Sequence, residues 1–169
     1  MIGIDASVCI KWFKGGERYD AEAQVLRQRL ERQEVDAVAS EILSLEIARG
    51  LKKAQVQQPA LGITNADIDA AFNVVEGMFQ TGILLECPVT DVKMRAKEIE
   101  VGLGLFMADA LHLATATHLG ASHFVTDDHH FLTSAVAGYT ASAGIRVVNL
   151  PDLIAALAGT AGGPGLVPP

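Results

Sequence analysis

Short apolar runs alternating with longer amphipathic stretches predict a single α/β domain built on a mostly parallel sheet flanked by helices. Two further observations agree. The 169 residues are half hydrophobic and one fifth charged, which suits one packed core and is short for two. Acidic residues also fall where the apolar runs stop, and open α/β sheets gather their functional groups beyond the carboxyl ends of their strands.

Taken in order, "MIGID" is a brief strand ending at Asp5, and "ASVCIKWF" is helical until "KGGE" breaks it. Residues 18–34 form a charged amphipathic helix with Ala23, Leu26 and Leu30 on one stripe. "VDAVAS" is a strand, and Ser40 is the expected N-cap of the helix "EILSLEIARGLKKAQ". A polar loop follows. Thr64 then opens a helix running to about Gln80, with Asp67 as an acidic variant of the capping box. "GILLECPV" is a strand closed by Pro88, and "TDVKMRAKEIEVG" a helix. Residues 106–119 form a helix stopped at Gly120. "SHFVTDD" is a strand leading into an acidic loop, "IRVVNL" the last strand, and "PDLIAALAG" a helix with Pro151 in first place. The domain is expected to span 1–158, with a flexible Gly/Pro-rich tail at 159–169.

Composition removes several classes of function. No apolar run approaches the roughly 20 residues that cross a bilayer, so no membrane association is expected. "MIGID" has no basic region followed by a long apolar stretch, so no secretory signal is expected. Cys9 and Cys87 make no disulfide framework, so a reducing, cytoplasmic setting is expected. No CxxC pair or Cys/His cluster signals structural zinc. The net charge of −7 opposes non-specific nucleic-acid binding. Basic groups nevertheless collect early, at Lys11 and Lys14, at Arg49, Lys52 and Lys53, and at Lys93, Arg95 and Lys97, whereas Arg146 alone follows Lys97.

"FMADALHLATA" (106–116) poses the chemical question. Nine of its eleven residues are apolar, Ala or Thr, yet Asp109 stands near its start, and a buried charge is expensive unless it is paired. Asp5 and the Asp127–Asp128 pair lie at strand ends, and Glu46 lies among Leu43, Leu45 and Ile47. Each has an ordinary reading as a cap, an acidic turn or a surface charge. Brought together they would repel, since two carboxylates at about 4 Å cost on the order of 4 kcal/mol at an effective dielectric of 20. A hard divalent cation removes that repulsion, and oxygen-rich sites suit Mg²⁺ or Mn²⁺.

Four pieces in this order resemble the PIN-domain nucleases, most closely the VapC-like toxins of type II toxin–antitoxin systems. They are "IDAS", with Asp5 and the hydroxyl of Ser7; "SEILSLEIARGL", with Glu46; "MADALHLATA", with Asp109; and "FVTDDHHF", with Thr126 as a supporting hydroxyl. The fourth piece offers two aspartates: register selects Asp128, leaving Asp127 in support. The likeness covers about residues 1–152. It implies a three-layer domain and a Mg²⁺-dependent endoribonuclease in which Mn²⁺ can substitute. Asp5, Glu46, Asp109 and Asp128 would be catalytic, and Asp5, Asp109 and Asp128 the metal ligands. RNA would be hydrolysed through a metal-activated water, with one ion or two. The resemblance also implies a homodimer neutralised by a VapB-like antitoxin.

Arg49 and Lys53 follow Glu46 on one helix face and are candidate RNA contacts. Trp12 and Phe13 are read as packing residues rather than base-stacking ones, and His112 and His118 as ordinary helix residues. His129 and His130 are not expected to touch the metal. The alternative function is a catalytically silent RNA- or protein-binding module on the same fold. A phosphatase of the haloacid-dehalogenase type would want Asp-x-Asp after the first strand, where Ser7 stands. A receiver-like domain would want a late Lys, and none follows Lys97.

Overall fold

The computed structural model describes residues 1–160. Five strands, β1 (Ile2–Ile4), β2 (Ala37–Ser40), β3 (Leu85–Cys87), β4 (His123–Val125) and β5 (Arg146–Val148), form one parallel sheet in the order β3-β2-β1-β4-β5. The chain builds outward from β1 in one direction, then returns to place β4 on its other side. The switch point therefore lies between β1 and β4, where a crevice opens beyond the strand ends. Asp5 and the 126–128 segment emerge there.

The helices are α1 (Ala6–Cys9), α2 (Asp20–Glu31), α3 (Leu43–Gln57), α4 (Asn65–Gln80), α5 (Val89–Leu103), α6 (Met107–His118), α7 (Ser134–Ser142) and α8 (Leu150–Thr160). Alternate strand residues serve two cores. Ile2, Ile4, Ala39 and Val125 pack with Leu26, Leu30, Leu43, Ile47 and Val75 on one side. Val38, Cys87 and Phe124 pack with Ile99, Leu113, Phe131 and Val136 on the other. The expected three-layer α/β architecture is present.

α6 is buried continuously from Ala110 to Ala116 and packs on α5, β1 and β2. Its approach to the sheet depends on Gly3, where an added Cβ would stand 2.5 Å from the Ala116 Cβ. The capping box of α4 is formed, with Thr64 and Asp67 bonding reciprocally. Gly120 follows the α6 cap with φ +68°, as a helix stop requires.

Several expectations need correction. Ser40 does not cap α3. It pairs with Cys87 at the end of β2, Glu41 bonds onward to the Cys87 carbonyl, and Ile42 takes the cap position. Helix α2 starts later and ends earlier than expected, at Asp20 and Glu31. α8 opens at Leu150, so Pro151 is second, and Asn149 Oδ1 accepts from the Asp152 N–H. α7 and a 3-10 turn at His129–Leu132 were not expected; "SAVAGYTAS" carries no apolar stripe to reveal a helix. α8 runs to Thr160, and the rest of the expected tail, 161–169, lies outside the described residues. Trp12 is buried, with Nε1 donating to the Ala23 carbonyl. Cys9 and Cys87 are both buried and unbridged. Among the described residues no helix is long and apolar enough to cross a membrane.

Candidate metal centre

Asp5 is almost fully buried, so its carboxylate needs donors. Its Oδ2 accepts from the Ser7 N–H (3.3 Å), the Ser7 hydroxyl (2.5 Å) and the Thr126 hydroxyl (2.9 Å). Hydrogen bonds to a charged group contribute about 1.5–3 kcal/mol each, which offsets the desolvation. Both hydroxyls also accept. The Asp127 N–H donates to Ser7 Oγ at 3.0 Å, and the Asp128 N–H to Thr126 Oγ1 at 3.0 Å. Two relays, each running from N–H through a hydroxyl to the carboxylate, thus suspend the 127–128 backbone from Asp5. Among the described residues no hydrogen bond reaches Oδ1 of Asp5, so that oxygen keeps its acceptor capacity.

The two neighbouring aspartates part company here. Asp127 Oδ2 lies 3.0 Å from the ammonium of Lys11, which is itself buried and 3.3 Å from Glu17. Asp128 accepts the His130 N–H at Oδ1 (2.9 Å) and lies close enough to Asp109 to disfavour its ionisation.

Asp109 occupies the first turn of α6, half-buried. Burial pushes its carboxyl up to about 6, and the charges of Asp5, Asp128 and Glu46 add to the effect, while His112 opposes it. Among the described residues no hydrogen bond reaches this carboxyl. Glu46, from α3, meets His112 of α6, with Oε2 2.6 Å from Nε2. Burial works against a charge on His112, but the bond to Glu46 and the fields of Asp5, Glu46 and Asp109 outweigh it and raise its pKa.

The fold therefore brings Asp5, Glu46 and Asp128 within electrostatic reach of Asp109, with Ser7 and Thr126 as hydroxyl supports of Asp5 and Asp127 turned toward Lys11. Arg49 and Lys53 are exposed on α3. The reading of the sequence missed two participants. His112 reads as an ordinary helix residue, although it stands three positions after Asp109 on a helix with no polar face, where a histidine must find a partner. Lys11 gave only a local charge signal. A cleft of about 320 Å³ adjoins the Asp128 side of the cluster, lined by Thr126, Asp127, Asp128, His129, Arg18 and Asn149 among others.

Uncompensated carboxylates of this kind fit a hard divalent cation. The repulsion already registers in the proton affinity of Asp109, and the donor set is all oxygen. No curated protein matches the chain at a significant level. The family model of the PIN domain matches residues 2–137, most of the chain. On that match, over a five-stranded parallel sheet with an acidic cluster at its switch point, the chain belongs to the PIN domain family.

Proposed function

We propose that this protein is a Mg²⁺-dependent endoribonuclease that hydrolyses RNA phosphodiester bonds, and that it serves in the cytoplasm as the toxin of a toxin–antitoxin pair. The observation that carries the reading is the Asp109 carboxyl, raised to about 6 by burial and by three other acidic residues from three other parts of the chain. Ion-free, that cluster is self-repelling; PIN domains are commonly nucleases that use divalent metals.

In this reading Asp5, Asp109 and Asp128 hold the cation, with Mn²⁺ able to replace Mg²⁺. When bound, the cation supplies Lewis-acid chemistry and lowers the pKa of water. Asp5 offers its unbonded Oδ1 from a rigid strand end. Asp109 must give up a proton before it can act as a ligand. Glu46, fixed by His112, keeps its other oxygen for an outer position. Arg49 and Lys53 draw the RNA backbone along α3. Met94 and Val101 on α5, with Phe106 and Met107 beyond it, are exposed large apolar residues, which supports a surface covered by a second copy or by a VapB-like antitoxin.

The test is cleavage of a mixed RNA preparation with Mg²⁺, Mn²⁺ or EDTA, beside an identically purified Asp109→Asn variant. Metal-dependent fragments lost in the variant support the reading. Equal cleavage by both proteins, or none with either metal, favours the silent binding module instead.

A further inference from the structure

The 3-10 turn at His129–Leu132 carries two histidines that the nuclease reading leaves unused, next to Asp128, which it uses. His129 Nδ1 lies 3.4 Å, and His130 Nδ1 3.1 Å, from the same oxygen, Oδ1 of Asp128. One donor atom from each of Asp128, His129 and His130 lies within 4.8 Å of the other two. Ligands at about 2.0–2.1 Å from a tetrahedral zinc stand roughly 3.3 Å apart, which matches both measured edges. His130 Nδ1 is shielded from solvent and has no aligned hydrogen-bond partner among the described residues.

The surroundings hold these donors in place. The His130 backbone N–H fixes Oδ1. The Phe106 ring meets His130 edge-on at 5.5 Å, and the two imidazoles lie 4.2 Å apart. Lys11 draws Asp127 aside, so its ammonium neutralises that carboxylate rather than Asp128. The cleft lined by Asp128 and His129 provides a way in. Two imidazoles with one carboxylate and an open side select zinc-like ions over Mg²⁺, which prefers an oxygen-only set.

We propose that Asp128, His129 and His130 form a transition-metal site that takes Zn²⁺, and that its occupation withdraws Asp128 from the carboxylate cluster and so inhibits. Capture of zinc stands on the geometry alone; inhibition rests on the nuclease reading.

Titration of tag-free protein with Zn²⁺ against a colorimetric zinc chelator, without RNA, tests the site. One zinc per chain is expected. A His129→Asn/His130→Asn double variant should bind it at least tenfold more weakly, and Asp109→Asn should retain it. Both histidines lie in a surface turn, and circular dichroism verifies that the double variant is folded. Zinc bound as tightly by the double variant, or lost from Asp109→Asn instead, overturns the site. In Mg²⁺-driven RNA cleavage, the double variant should need at least tenfold more zinc for half-inhibition. Equal sensitivity overturns the link through Asp128. Failure of the nuclease reading is seen separately, as absent cleavage before zinc is added.

Discussion

The strand-end half of the acidic cluster and its helix half solve the same problem in opposite ways. Asp5 is the more deeply buried, yet three donors converge on one of its oxygens, and two of those donors are hydroxyls anchored to the next loop. Asp109 is only half-buried and receives no hydrogen bond among the described residues, and its carboxyl rises to about 6. One half is a fixed frame, and the other holds an unrelieved repulsion. Rigidity and repulsion thus reside in different residues, and each can be removed alone.

The sharpest way to break the comparison is to neutralise the unsatisfied half. Asp109→Asn should lower RNA cleavage by roughly 100-fold or more, about 2.7 kcal/mol in the barrier. The same change should raise the melting temperature of the metal-free protein, because it removes repulsion rather than a bond. A melting temperature that falls with the activity would mean that Asp109 is a structural residue.

Next in size is the proton linked to cation binding. Apparent Mg²⁺ affinity should climb by about tenfold per pH unit below about 6 and level off above it, as Asp109 loses its proton. Calorimetric titration between pH 5 and 8 reads this directly, and Asp109→Asn should erase the slope. For the metal-free fold the sign is reversed. Between the ordinary value of 3.8 and about 6 the folded state holds the extra proton. Asp109 therefore favours folding below that window and opposes it above.

The satisfied half is tested by Thr126→Val, which preserves shape but leaves the Asp128 N–H and Asp5 short of partners. Urea unfolding should show a loss of about 2 kcal/mol, the cost of stranding buried polar groups. Asp109→Asn should show no such loss. The smallest effect is expected from Arg49→Ala with Lys53→Ala. RNA binding should weaken, and the slope of its logarithm against log salt should flatten by about 1.4 for two lost single-strand phosphate contacts. An unchanged slope would take α3 out of the RNA path.

The alternation of strands and helices was legible because each is a local pattern of apolar spacing. So was the oddity of Asp109, a charge inside an apolar helix. What could not be read depends on partners distant in the chain. His112 and Glu46 are 66 positions apart, and neither declares the other. The different roles of Asp127 and Asp128 are decided by Lys11, near the opposite end of the sequence. Ser40 looks like a helix cap until pairing with Cys87 holds it in the sheet. Ser134–Ser142 folds as a helix although its small residues offer no stripe to detect.

The close seat of α6 on β1 has a consequence for how far this site can be altered. Because a methyl group on Gly3 would run into Ala116, the gap between the two halves of the cluster is gauged by a missing carbon. The helix that carries Asp109 and His112 cannot be lifted without changing the distance from Asp109 to the other three carboxylates. Residue 3 touches no charge, yet it sets the calibration of the instrument that reads them.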